Sequence, residues 1–145
     1  MEIKVVDSEN IRPLRHTVLR KGHPFSATSY LKDKDKKTIH LVCIEEKKIV
    51  ACATFYPEKT KQVESKKGYR LRGMATDPKH RRKGHGKNLK NHSFQLLQKK
   101  ECDVLWCNAR IVAVDFYKSL GFKTKGEVFN IEGIGPHYYM YKKLF

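Results

Sequence analysis

The sequence predicts a mixed α/β fold, a mostly antiparallel sheet flanked by helices. Three observations lead there. Short blocks rich in β-branched and aromatic residues recur along the chain, three segments place apolar residues at helical spacing, and Gly, Pro and charge clusters separate them. Glu2 to Val6 reads as a short strand, and Asp7 or Ser8 then caps a helix with Ile11, Leu14 and Val18 on one side. That helix ends before Lys21-Gly22-His23-Pro24, and residues 25 to 37 read as an exposed polar connection. Ile39 to Glu45 and Ile49 to Tyr56 form a hairpin around the charged turn Glu46-Lys47-Lys48. Tyr69 to Thr76 is the next strand, stopped by Asp77-Pro78.

A helix follows from Gly84 to about Lys100, its apolar side made by Leu89, Phe94, Leu96 and Leu97. Val104 to Cys107 is a short apolar strand, and Ile111 to Leu120 a helix with Val112, Phe116 and Leu120 in register and Gly121 as its C-terminal cap. Phe122 to Asn130 and His137 to Leu144 read as two final strands around Glu132-Gly133-Ile134-Gly135-Pro136. The predicted order is β-α-β-β-β-α-β-α-β-β.

A length of 145 residues suits one domain, expected over residues 1–145. The mean hydropathy of −0.65 and the short apolar runs exclude a membrane helix, which needs roughly 18 apolar residues. The start Met-Glu-Ile-Lys-Val-Val does not resemble a signal peptide, so a cytoplasmic location is expected. Cys43, Cys52, Cys102 and Cys107 form no Cys-x-x-Cys pair and fit reduced, buried thiols, so no metal is expected. The balance of 31 Lys and Arg against 15 Asp and Glu, a net charge of +16, attracts polyanions: phosphorylated ligands, nucleic acid or anionic lipid.

The stretch from Met74 to Leu89 carries the most chemistry. Between the end of a strand and the start of a helix stand Arg81, Arg82, Lys83, Gly84, His85 and Gly86. A helix N-terminus has unpaired N–H groups and a positive dipole end, so it holds anions. Glycine lets a phosphate approach the backbone, and the cations add charge-assisted bonds. The segment lacks the Gly-Lys-Ser/Thr ending of a P-loop and the first glycine of a dinucleotide fingerprint.

Arg81-x-x-Gly84-x-Gly86 after Met74-Ala75-Thr76, followed by Ala113-x-x-Phe116-Tyr117-x-x-x-Gly121-Phe122, resembles the GNAT N-acetyltransferase superfamily. The motifs cover residues 69 to 122, and the strand order extends the likeness to nearly the whole chain. The tail Gly135-Pro136-His137-Tyr138-Tyr139-Met140 is similar to that of a subgroup of small bacterial members.

The resemblance implies a V-shaped splay between the strands at 69–76 and 104–107, with acetyl-coenzyme A as co-substrate and its pantetheine arm in the V. Met74, Ala75 and Thr76 would pair with pantetheine through their backbones, and an amide there would polarise the thioester carbonyl. Arg81, Arg82, Lys83, Gly84, His85 and Gly86 would take the pyrophosphate. Tyr117 would be the general acid for the departing thiolate. With pKa values of about 10 for Tyr and about 8.5 for a thiol, that transfer is uphill by roughly 2 kcal/mol.

Two positions depart from the family's pattern. Where many members have an Asn before the alanine, this chain has Arg110, with Asn108 two residues earlier; either is a candidate coenzyme contact. Where many carry a glutamate on the strand at 69–76, this chain has Arg70 and Arg72, so the base falls to Glu127, His137 or ordered water. Strand alternation puts Arg72 on the face of Met74, which suits a small amine acceptor bearing an anionic group. The competing classes are a basic nucleic-acid- or ribosome-binding module and a non-catalytic acyl-coenzyme A sensor. A monomer or homodimer is expected.

Overall fold

A computed structural model describes residues 1–145. Its strands are β1 (Glu2–Val6), β2 (Ile39–Glu45), β3 (Lys48–Pro57), β4 (Gly68–Thr76), β5 (Val104–Arg110), β6 (Lys123–Thr124), β7 (Phe129–Ile131) and β8 (Gly135–Lys143). Its helices are α1 (Arg12–Val18), α2 (His85–Lys99) and α3 (Val114–Ser119). The eight strands make a mostly antiparallel sheet, as the sequence predicts. The chain divides into two compact units: Met1–Tyr56 with Leu71–Leu96, and Pro57–Arg70 with Leu97–Phe145.

In the first unit the strand order is β1-β2-β3-β4. The β2–β3 hairpin turns on Glu46 and Lys47, with φ of 50° and 66°. Two left-handed residues make the turn whose twist matches the flanking strands. Ile11, just before α1, and Leu14 within it pack on Val42, Cys52 and Ala75. On α2 the buried residues are His85, Leu89, Lys90, Ser93 and Leu97, a stripe at helical spacing.

The connection at 25–37 corrects the expectation of a wholly exposed segment: it starts with a 3-10 turn at Phe25–Thr28, and Thr28, Tyr30 and Asp33 are buried. Arg15 of α1 is the cause. It is fully buried, and a buried charge must be paired. Its Nη1 and Nη2 donate to Asp33 Oδ2 and Oδ1 at 2.7 and 3.0 Å, and further to the Thr28 carbonyl and the Thr54 hydroxyl. His40 closes the network, with Nδ1 2.8 Å from Thr54 Oγ1 and Nε2 2.9 Å from the Asp33 carbonyl. Burial alone would raise the Asp33 carboxyl; the hydrogen bonds from Arg15 and the Tyr30 amide, with the Arg15 charge, bring it below its ordinary value.

In the second unit the order is β4-β5-β8-β6, with β7 on β8. The parallel β4–β5 ladder has only the pairs Gly68↔Val104, Tyr69↔Leu105 and Arg70↔Trp106. It ends at Arg70. β5 runs beyond the predicted Cys107 to Arg110, because Asn108, Ala109 and Arg110 pair with Tyr139, Tyr138 and His137. The single strand expected over 122–130 is two short ones, interrupted near Gly126, whose φ is +81°. The helix expected at 111–120 is a 3-10 turn, Ile111–Ala113, followed by α3. Gly121, at φ +93°, turns the chain out of it, and the Phe122 amide donates back to the Tyr117 carbonyl at 3.1 Å.

Candidate active site

The opening of α2 has the geometry of an anion site. Asn88 N donates to the Gly84 carbonyl at 2.9 Å, so Gly84 caps the helix, and the amides of the first turn have no acceptor within it. Gly84 has φ +80°, and a Cβ there would meet only Asn88 Nδ2, at 4.0 Å. The backbone at this glycine is therefore open to an incoming group. Arg82 is also left-handed, at φ 65°, which a non-glycine residue adopts at a cost of roughly 1–2 kcal/mol. Arg81 before it is extended, at φ −69° and ψ 155°, so the chain turns at Arg82 and again at Gly84 as it enters α2.

The side chains agree with the backbone. Arg81, Arg82 and Lys83 are exposed, and no carboxylate pairs with any of them. Arg81 Nε reaches back to the Thr76 carbonyl at 3.4 Å, which ties the loop to the end of β4. His85 turns inward. Its Nε2 lies 2.8 Å from Glu45 Oε2 and its Nδ1 3.6 Å from Cys43 Sγ, so the side chain anchors the helix start. The partners Glu45 and Cys43 lie at the end of β2, and nothing in the sequence pattern announces them.

On β4, Ala75 points into the core beside α1. Met74 points to α2, where Lys90 Nζ lies 3.0 Å from its sulfur. Lys90 is fully buried, an outcome helical spacing alone does not foretell for a lysine. Arg72 does not share the direction of Met74. Its guanidinium stacks on Tyr30, Cζ to ring centroid 4.2 Å, because Gly73 between them takes φ +63° and interrupts the alternation.

The other expected residues lie in the second unit. Tyr117 of α3 is buried, its ring edge-on to Phe116 and Phe122 at 5.5 and 5.3 Å. Burial, and secondarily the nearby Cys107 thiol, hold its phenol well above the ordinary tyrosine value. His137 is buried on β8, with Nδ1 2.8 Å from the Gly135 carbonyl. A carbonyl only accepts, so Nδ1 carries the hydrogen and the neutral ring keeps its lone pair on Nε2. Glu127 is exposed, in the segment between β6 and β7. Asn108 and Arg110 are half-buried on one face of β5, and Arg110 precedes the 3-10 turn. All four cysteines are free and buried.

Comparison with known proteins supplies the context. Residues 8–122 match the model of the acetyltransferase (GNAT) family. A Bacillus subtilis protein described as the uncharacterized N-acetyltransferase YitI is 33% identical over 144 residues, covering 99% of this chain and 97% of its own. Among solved structures, an aminoglycoside 6'-N-acetyltransferase complexed with coenzyme A superposes with a TM-score of 0.81 at 14% identity, covering 100% of this chain and 98% of its own. A putative N-acetyltransferase from Lactobacillus plantarum gives the same TM-score of 0.81 at 16% identity, with 100% of both chains covered.

Proposed function

Because this chain belongs to the acetyltransferase (GNAT) family and is an acetyl-coenzyme A-dependent N-acetyltransferase, we propose that it acts as one domain in the cytoplasm, acetylating a primary amine on a small acceptor by direct attack in a ternary complex. The observation that carries the reading is the opening of α2: unpaired amides, an open glycine and three cations without counter-ions. Those groups fit the coenzyme's diphosphate. Met74, Ala75 and Thr76 lie on the strand that leads into this loop and would hold the pantetheine arm by backbone pairing, leaving side chains such as Ala75 to the core.

Acetyl-coenzyme A supplies an activated acyl carbon and a thiolate leaving group. The acceptor nitrogen donates its lone pair to the carbonyl carbon, the carbon–sulfur bond breaks with its electrons staying on sulfur, and the nitrogen loses a proton. A β4 amide stabilises the oxygen as it gains charge. Tyr117 is the general acid. Its raised pKa keeps it a phenol throughout the neutral range, which leaves the O–H in place to donate but makes the transfer to the thiolate more uphill, so water shares the proton. His137 takes the nitrogen's proton in preference to Glu127, since its Nδ1–H is fixed by the Gly135 carbonyl and its basic nitrogen is defined, while Glu127 is exposed. Asn108 and Arg110, on one face of β5, are the further coenzyme contacts in this reading.

The test is release of free thiol from acetyl-coenzyme A in the presence of a panel of primary amines. Amine-dependent release with transfer of acetyl to nitrogen, seen by mass spectrometry, supports the proposal. Absence of release with every amine, or acetylation of hydroxyl groups alone, overturns it.

A further inference from the structure

Three guanidinium groups converge on one phenol ring. The Cζ atoms of Arg15, Arg72 and Arg20 lie 3.9, 4.2 and 5.6 Å from the centroid of Tyr30. They come from α1, β4 and the turn after α1, so the fold, not local sequence, gathers them. Their charges are met unequally. Arg15 is buried and taken up by both oxygens of Asp33. Arg20 has only a carbonyl partner, that of Leu19 at 3.0 Å, and no carboxylate pairs with Arg20 or Arg72. Two half-buried cations therefore share one aromatic ring without a counter-ion.

The mounting is closely packed. The Tyr30 amide donates to Asp33 Oδ2 at 2.9 Å, tying the ring's backbone to the Arg15 ion pair. From the β4 side, Gly73 comes so close that a Cβ would lie 3.0 Å from Arg15 Nε and 3.2 Å from Tyr30 Cε2. A guanidinium stacked on a ring face spends its π surface there and keeps its N–H donors in the plane, along the edge. Such a fork fits a carboxylate or phosphate with two parallel bonds. Arg72 is also next but one along β4 to Met74, whose backbone holds the pantetheine arm in the reading above.

Resting on that reading, we propose that Arg20 and Arg72, mounted on Tyr30, bind an anionic oxygen group of the acceptor, so that the substrate is a small amine carrying a carboxylate or phosphate. The same charges assist the chemistry. A nearby cation disfavours the ammonium form of an amine, so the pair lowers the acceptor's pKa and delivers more of it as the free base. This accounts for a β4 strand that carries arginines and no carboxylate.

The experiment uses the full chain with matched acceptors: β-alanine, its amide, O-phosphoethanolamine and spermidine, scored by kcat/KM for thiol release, with acetyl-coenzyme A affinity measured separately by calorimetry. The expected result is that one of the two anionic acceptors exceeds the amide and spermidine at least tenfold, and which one it is separates carboxylate from phosphate recognition. Arg72→Gln and Arg20→Gln should each bring the ratio of anionic acceptor to amide down about tenfold, through KM, without changing the coenzyme's Kd. Should Arg72→Gln fail to fold, Arg72→Lys replaces it; it keeps the charge, loses the fork, and should lower the same ratio. A preference for spermidine or the amide, or an unchanged ratio in the variants, overturns the anion site, as does acetyl-coenzyme A binding with no turnover of either anionic amine. Absence of coenzyme binding overturns the acetyltransferase reading itself, so the two failures are distinct.

Discussion

Removing Asp33 tests the buried network on which the Tyr30 platform stands. The Arg15 side chain is fully buried and that of Asp33 is 4% exposed, with two oxygens meeting two guanidinium nitrogens. Asp33→Ala leaves the Arg15 charge in the interior without its counter-ion, a change that costs about 3–5 kcal/mol. Unfolding entropy is about 2.1 cal/mol/K per residue, or about 0.3 kcal/mol/K for 145 residues, so Tm should fall by about 10–16 °C. The double replacement Arg15→Met with Asp33→Leu removes both charges and should recover most of the loss. Because the folded Asp33 carboxyl titrates below its ordinary value, its contribution is present above about pH 4, the unfolded value, and is withdrawn as pH falls through the lowered folded value. The gap between wild type and Asp33→Ala should therefore narrow in acid. Thermal and urea melts followed by circular dichroism at pH 7 and pH 3 read both effects. A loss below 1 kcal/mol at pH 7, or a gap that widens in acid, refutes the reasoning.

Three further outcomes follow from the site and its supports. Gly84→Leu puts a side chain at φ +80°, costing about 1–2 kcal/mol of local strain and filling the approach to the helix opening, so acetyl-coenzyme A should bind at least tenfold more weakly in calorimetry while the melting curve moves only a few degrees. Tyr117→Phe should keep the coenzyme's Kd and lower kcat by about 10²–10⁴, and in the wild type, with Tyr117 raised by burial, no loss of kcat from its ionisation should appear below about pH 10. Asp103→Ala removes the acceptor of the Ser65 hydroxyl and of the Lys66 and Lys67 amides, so the 65–67 turn should exchange its amide hydrogens faster and the protein should lose about 1–3 kcal/mol.

Periodicity made the elements legible, and the exceptions have physical causes. The helix from His85 and the strands at 39–45 and 68–76 lie within a residue of their predicted bounds, since each is bounded by Gly, Pro or charge. The sequence predicts a short β5 because Asn108 and Arg110 are polar; pairing with β8, which no local pattern encodes, carries the strand on. The loop at 81–86 stands out in the sequence because its signal is local, six successive residues at one strand-to-helix junction. The platform around Tyr30 does not. Arg15, Arg20, Asp33 and Arg72 are ordinary surface residues by type, and only the fold shows that Asp33 neutralises one arginine and leaves two. Strand alternation points Arg72 with Met74, yet its direction follows from the left-handed Gly73, which alternation does not anticipate.

Isothermal titration of the purified chain with acetyl-coenzyme A at low ionic strength, repeated as salt is raised, bears most directly on the helix opening at Gly84. Saturable binding to one site, weakening steadily with salt and further in Arg81→Gln and Arg82→Gln, is the predicted result. No saturable heat at the lowest salt, or binding indifferent to both salt and those arginines, would contradict it.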